Sequence, residues 1–537
     1  MKSGSWKSLV FTGALALATM SVQTICAHAE GVLRIGMTAT DIPLTHGSPD
    51  NGFEGFRFTG FTLYDALVNW DLSSADKPSV IKPGLALSWT VDPADSTHWT
   101  FKLRPGVKFH DGSTFDAQAV VWNFDKLLKK EAPQFDARQA SLVGFRIASV
   151  ASYSVVDATT LDIKTKMPDS FLPFELSYIL QASPAQFENV GHDWAKFAAE
   201  PSGTGPFRLE KLTPHERAVL IPFKDYWDET RRAKLDRLEL IPMPEANTRT
   251  AALLSGEVDF VEAPPPDTIP RLKSAGMVIT SNPYPHIWPY HLSRLRDSPW
   301  NDIRVRKAAN LAIDREGVKE LLGGYALPAK GHVLPDSPWF GKPSFEIKYD
   351  VEAARKLMTE AGYGPDKRLK AKILISASGS GQMLPLPMNE FIQENLKEIY
   401  IDIDFEVVDF TTLTNRWRAG AKADQNAGVS AINYSYAIVD PFNALVRFVR
   451  SDLHAPNGVN WGFYADPEVD ALIAKAQNTF DAAAQNEILG QVHTKMVDEA
   501  LFLWVVHDVA PRAMSPNVKG FVQPRNWFLD LTTVTVK

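Results

Sequence analysis

Between Trp99 and Lys130 the spacing of apolar side chains changes from two to about 3.6, and the same change recurs along the whole chain. A chain written this way is confined to folds that mix strands with helices. In "WTFKLRPGVKFHDG" (99–112), Trp99, Phe101 and Leu103 alternate with polar residues, which predicts a half-buried strand. Pro105-Gly106 supplies a tight turn, and Val107 and Phe109 resume the alternation, so the stretch is predicted as a hairpin closed by Asp111-Gly112. The following "TFDAQAVVWNFDKLLKK" puts Val120, Val121, Phe124, Leu127 and Leu128 on one helical face, with Asp116 as N-cap. His110-Asp111 resembles a catalytic pair, but turn chemistry already accounts for Asp111 and Gly112, so the pair is read as structural.

The remaining segments follow the same grammar. "VLRIGM" (32–37) reads as a strand, and "FKDYWDE" and "LDRLELIPM" flank a loop. "RVRKAANLAIDREGVKELLGG" places Ala308, Ala309, Leu311, Ala312 and Leu321 at helical spacing before a Gly323-Gly324 stop. Asp350 and Asp466 are N-cap candidates, the first before Leu357, Met358 and a terminating Gly362, the second before Pro467. "ALFLWVV" (500–506) fits a buried strand, and no later stretch is long enough to span a bilayer. The mixture predicts an α/β or α+β fold with mixed sheets, and 537 residues leave room for two or three domains.

The first 29 residues read as a signal peptide: Lys2 and Lys7, the apolar "LVFTGALALATM", then "AHA", with cleavage expected between Ala29 and Glu30. Cys26, the one cysteine, lies inside this leader, and Ile25 is a poor residue to precede a lipidated cysteine. The mature chain is therefore expected to lack thiol chemistry and disulfides. Losing two lysines and no acid takes the net charge from −7 to −9. That mildly acidic balance argues against nucleic acid and anionic membrane as partners.

No motif supplies an engine for catalysis. The twelve histidines form no H-x-x-x-H pair, and His286 and His291 are interrupted by Pro289, so no metal site is assigned. "SVIK" (79–82) matches S-x-x-K, but Pro83-Gly84 spoils the helix such a serine needs. "GTGPF" (203–207) lacks the spacing and lysine of a phosphate loop. Acidic pairs such as Asp225/Asp228 leave a glycosidase open, because sequence does not measure their separation. Two aromatic stretches, "NPYPHIWPYH" and "INYSYAIVDP", mix rings with Pro, Asn and Ser and read as loops suited to a binding cleft.

Six segments occur in one order: "PGLALSWTVDPADSTHWTFKLRPGVKFHDGSTFDAQAVVWNFDKL", "GTGPFRLEKL", "LLSGEVDFVEA", "WNDIRVRKAANLAIDREGV", "YDVEAARKLMTEAGY" and "ALFLWVVH". Together they resemble the extracellular solute-binding proteins of bacterial ABC importers, peptide/nickel class. The resemblance implies a two-lobed periplasmic binding protein with an interlobe cleft and hinge, plus an extra domain, three domains in all. Mapped on the matching segments, lobe I takes 30–76, 203–290 and 511–537, the extra domain 77–202, and lobe III 291–510. "PYHLS" (289–293) and "HDVAPR" (507–512) would be the two hinge crossings.

The resemblance also implies a function: a periplasmic receptor that binds a peptide or similar solute between its lobes and delivers it to a membrane permease whose ATPase is a separate subunit. No catalytic residue, metal or cofactor is expected, and the chain is expected to act as a monomer. Ligand-binding candidates are Asp41, Trp288, Tyr434, Ser435, Tyr436 and Asp440. Peptide-binding relatives hold the solute's ammonium with an Asp four residues before a proline. Counting back from Pro441, that place is Ala437, and Asp440 either substitutes for the missing acid or caps the next helix. An oligosaccharide, an opine-like conjugate or a metal chelate therefore competes with peptide as solute. A secreted hydrolase and a periplasmic chaperone are the rival classes.

Overall fold

Strand pairing in the computed structural model, which describes Met1 and residues 31–50, 52–378 and 384–537, divides the chain between two seven-stranded mixed sheets. The signal segment with Ala29 and Glu30 lies outside the described residues. In the first sheet Val32–Met37 runs parallel to Arg237–Pro242 and Phe260–Glu262, and antiparallel strands complete the edges. In the second, Leu369–Ser376 runs parallel to Ile401–Val408 and Val429–Asn433, while His286–Leu292 lies antiparallel between Phe502–Asp508 and Val429–Asn433. The central strands are apolar on both faces, as a sheet covered on both sides requires. A four-stranded antiparallel sheet, residues 86–165, stands apart from both. Its Trp99, Phe101 and Leu103 nonetheless share one continuous core with Leu33, Ile35 and Leu240 of the first sheet. The four-stranded sheet and the first seven-stranded sheet therefore pack as one body.

The second sheet carries separate cores on its two faces. One packs Ile287, Ile432 and Trp504 against the helices Pro467–Gln477 and Ala482–Asp498. The other packs Trp288, Tyr290 and Val505 against Ile303–Ala312, Val351–Glu360 and Pro385–Lys397. The chain crosses between the sheets at 281–285 and returns at 509–511.

Local capping agrees with the sequence. Asp116 accepts from the Ala119 amide at 2.9 Å, Asp350 from Ala353 at 3.0 Å and Asp466 from Glu468 at 2.8 Å. Each satisfies an amide that a helix start leaves free.

Elsewhere the structure departs from it. Strand Asp95–Leu103 pairs with Ala86–Asp92 and Thr160–Thr165, not with 107–109, so Pro105-Gly106 joins no hairpin. Val107 and Phe109 instead close a tight loop on Phe115 and Ser113. The expected helix over 304–322 breaks at Ile313, because Asp314 starts a new one by accepting from Gly317; Leu322 is buried and Leu321 exposed.

"NPYPHIWPYH" is not a loop: His286–Leu292 is a fully buried strand at the centre of the second sheet. Pro289, which has no N–H to give, sits at a register shift in the pairing with Phe502–Asp508, where a missing donor is tolerated. The first crossing consequently precedes 289–293, since those residues already belong to the second sheet.

His110 does structural work. Its Nδ1 accepts the Gly203 N–H at 3.2 Å, so Nε2 carries the proton and donates to the Gly205 carbonyl at 3.0 Å. Burial pushes its pKa down to about 4 and keeps the ring neutral for this clamp. The glycines of "GTGPF" allow close approach: a Cβ at Gly203 would lie 2.1 Å from the Leu63 carbonyl oxygen. Asp111 caps its own turn by accepting from the Ser113 amide.

Candidate functional site

The seam between the two bodies is polar at its middle. Tyr178 follows the short helix Leu172–Leu176 in the first body, with its ring 5.6 Å from Phe56 and 5.7 Å from Phe53. Its hydroxyl donates across the seam to Asp440 at 2.9 Å. Arg146, also from the first body, lies flat over the Tyr178 ring at 3.7 Å, pairs with Glu175 at 3.0 Å and sits 3.7 Å from Asp440. All four side chains are buried. Burial pushes the Glu175 carboxyl up to about 8 against the opposing pull of Arg146.

Asp440 lies at the start of the helix Pro441–Leu445, where Pro441 occupies the first turn without losing a bond. Its Oδ1 accepts the Asn443 backbone N–H at 2.8 Å, and Oδ2 accepts the Asn443 side-chain amide together with the Tyr178 hydroxyl. Arg447 Nη1 in turn donates to Asn443 Oδ1 at 2.5 Å. A hydrogen-bonded chain thus runs Tyr178–Asp440–Asn443–Arg447 from the first body into the second.

A second polar group sits beside the crossings. Arg57 pairs with Glu262 at 2.6 Å, Arg512 lies 3.6 Å from Glu262, and Tyr284 donates to Asp508 at 2.8 Å. Burial pushes the Asp508 carboxyl up to about 6. Arg57, Glu262, Tyr284, Arg512 and Trp527 line a cavity of about 10 Å³, room for about one water.

The six sequence candidates are only partly gathered here. Asp440 is in the seam. Tyr434 stacks on Trp417 at 4.3 Å and nearly parallel, while Tyr436 packs 4.0 Å from Phe448 and hydrogen-bonds His332 at 3.1 Å; Ser435 is half-buried between them. Arg447 covers both Trp417 and Phe448, which joins this aromatic group to the Asp440 chain. Trp288 is elsewhere: it is buried in the core on the opposite face of the second sheet, beside Tyr290. Strand alternation sends it there while its neighbour Ile287 faces the other core. Asp41 is on the first body alone, engaged by the backbone N–H and the ring of exposed His215 at 3.0 and 2.6 Å. Among the described residues no group of three His, Cys, Asp or Glu side chains is arranged to hold a metal.

Arg146, Glu175 and Tyr178 were missed from sequence. Their signal is a lone charge in an apolar run, Glu175 within "FLPFELSYIL" and Arg146 within "LVGFRIASV". A charge in such a run is costly unless paired.

Two α/β bodies joined by two short crossings, with paired charges sealed in the seam between them, define a two-lobed hinged binding protein. The chain belongs to a known family of such proteins: residues 80–453 match the profile described as "Bacterial extracellular solute-binding proteins, family 5 Middle". This bears out the resemblance carried by the six ordered segments, and makes the protein an extracellular solute-binding protein.

The glutathione-binding protein GsiB of Salmonella typhi is 29% identical over 484 residues, covering 87% of this chain and 90% of the relative. Two solved structures share the fold. The DppA periplasmic binding protein of Helicobacter pylori, in complex with the peptide STSA, has TM-score 0.78 and 22% identity, covering 94% and 98% of the two chains. A dipeptide-binding protein of Pseudoalteromonas sp. SM9913, in complex with Met-Leu, has TM-score 0.79 and 21% identity, covering 94% and 100%. No helix among the described residues is long and apolar enough to cross a membrane.

Proposed function

We propose that the chain is the periplasmic receptor of an ABC importer for peptides or peptide-like solutes, binding one solute between its bodies and presenting the closed form to a permease. The moving units are 31–280 with 512–537, including the extra domain, and 286–508. They turn on 281–285 and 509–511.

One observation carries the peptide reading. The two-residue strand Tyr436–Ala437 pairs on one edge with His286–Ile287, and no strand among the described residues pairs with its other edge. An extended peptide can add there through main-chain hydrogen bonds. Relatives named for glutathione, for a bound peptide and for a bound dipeptide support the same class.

Contacts made to both bodies exist only when the protein is closed, so a solute shifts the open–closed equilibrium by their differential free energy. The solute leaves chemically unchanged, the energy for import comes from a separate ATPase, and the receptor acts as a monomer. Export precedes this: the leader 1–29 is removed between Ala29 and Glu30, leaving 508 residues in the periplasm.

The test is mass spectrometry of solute released by denaturation after gentle purification, paired with X-ray scattering of the stripped and reloaded protein. One unaltered peptide-like solute per chain and a smaller radius of gyration on reloading are expected. Accumulation of a converted product would favour a hydrolase and overturn the reading. Intact mass starting at Glu30 checks the processing step, and a lipid-modified Cys26 would contradict it.

A further inference from the structure

We propose that the return crossing 509–511 is a loaded hinge: Ala510 is held in a strained backbone conformation while the two bodies are closed, and opening lets it relax. The empty receptor is thereby biased against closure, and a bound solute has to overcome that bias before the closed form is presented. The inference rests on the receptor reading above and adds to it what sets the balance between open and closed.

With the Tyr178–Asp440 bond made across the seam, the structure is the closed form. In it Ala510 has φ 43°, in the left-handed region. An L-residue there crowds its Cβ against the following carbonyl, and alanine has no side-chain oxygen to offset this as Asn or Asp would. Pro511 adds a second cause of strain, because a proline ring pushes the residue before it toward extended backbone. Glycine tolerates such a φ, yet alanine stands here. Ala263, with φ 47°, shares the condition and donates its N–H to the Pro511 carbonyl at 3.2 Å. Two strained alanines thus meet where the chain re-enters the first body.

The crossing is clamped residue by residue. From the second body, the Asp508 carboxylate accepts the Ala510 N–H at 2.9 Å. From the first, Gln523 Nε2 donates to the Ala510 carbonyl at 2.8 Å, while Thr280 Oγ1 donates to Gln523 Oε1 at 2.8 Å and fixes that amide. The outgoing crossing adds the Asn282 N–H, which donates to the Val509 carbonyl at 2.8 Å. Asn282 is itself anchored through Nδ2 to the carbonyls of Ala75 and Gln523, at 2.6 and 2.9 Å.

A strained conformation persists where its surroundings over-determine it. Here the determining groups come from both bodies, so turning one against the other separates them. Pro283 and Pro285 fix φ at two positions of the outgoing crossing, which leaves more of the rotation to 509 and 510. The cavity of about 10 Å³ borders Ala263, Ala510 and Pro511, so the turn has space beside it in which to relax. Strain present in one form and relieved in the other enters the open–closed equilibrium directly.

The test uses the intact mature protein without solute, carrying one spin label on each body. Pulsed dipolar distances give the closed:open ratio, in the native and Tyr178→Phe backgrounds so that both forms are present. Ala510→Gly, which takes the same φ without strain, should raise the ratio about fivefold. Gln523→Ala, which removes a clamp, should lower it about fivefold. Val509→Gly is the control: its φ is not positive, so glycine there should not raise the ratio. A native or lower ratio in Ala510→Gly, an equal rise in Val509→Gly, or an unchanged ratio in Gln523→Ala would each overturn the inference; a shift on Tyr178→Phe in the same experiment would leave the receptor reading standing. A distance that no variant moves, Tyr178→Phe included, would overturn the inference and the hinge together.

Discussion

The Tyr178 hydroxyl donates to the Asp440 carboxylate at 2.9 Å, and in doing so ties the aromatic floor of the first body to a helix cap of the second. The bond crosses the seam, so opening must break it. Tyr178→Phe removes the hydroxyl and leaves the ring against Phe53, Phe56 and Phe528. A hydrogen bond to a charged group is worth about 1.5–3 kcal/mol, and Asp440 keeps its Asn443 contacts, so the lower part of that range applies. The solute-free variant should shift toward the open form by about tenfold, read as a larger radius of gyration in scattering. An unchanged radius would mean that this bond does not hold the bodies together.

Asp440 has two duties that two substitutions separate. Asn caps a helix about as well as Asp, so Asp440→Asn should keep the helix Pro441–Leu445 and lose the charge facing Arg146 together with the oxygen that accepts from Tyr178 and the Asn443 side chain. Asp440→Ala removes the cap too and should cost about 1 kcal/mol more in urea denaturation. Equal losses from both variants would show that the cap contributes nothing.

Trp288 is a core residue rather than a cleft residue, with 2% of its surface exposed. Trp288→Ala should cost about 3–5 kcal/mol of stability through lost burial and a cavity. The solute affinity of the folded fraction should stay within about twofold. Weakened binding with native stability would put the indole in the cleft.

Stability should fall on acidification because buried histidines must stay neutral. His493 Nδ1 donates to the Phe340 carbonyl while Nε2 accepts the His332 N–H at 2.9 Å, so a second ring proton would face an N–H donor. Burial holds its pKa at about 4, that of His507 at about 4, and those of His286 and His291 at about 3. Their unfolded value is near 6.5, so between pH 6.5 and pH 4 the unfolded chain binds more protons than the folded one. Stability therefore rises with pH across that window and is lost as pH falls through it. His493 alone accounts for about 3 kcal/mol at most. Urea midpoints measured from pH 4 to pH 7 should show the slope, and His493→Gln should reduce it. A flat profile would contradict the neutral, buried assignment.

Where an element's cause lies within a few residues, it was legible in the sequence. Asp116, Asp350 and Asp466 cap helices because an Asx side chain reaches an amide two or three positions ahead, a distance set by local geometry alone. The family was legible for a related reason: six segments in order resemble one family along the chain, and one continuous match over 80–453 takes in the first five of them. Pairing was not legible. Asp95–Leu103 alternates correctly for a strand, but alternation does not name a partner, and the nearest candidate at 107–109 lost to Ala86–Asp92 and Thr160–Thr165.

By itself, then, the sequence carried the class of protein through its resemblance to a family, and the helix starts and a buried strand near 500–506 through residue type and short spacing. The tertiary structure decided what faces the seam. It sent Trp288 into the far core, because a strand buried on both faces offers no sequence cue for which face is which. It turned Asp440 into a cap and crossing acceptor, and it brought Arg146, Glu175 and Tyr178 up to 294 positions along the chain to meet it. Those meetings depend on how two separately built cores close on each other, and closure is a property of packed surfaces rather than of any local run of residues.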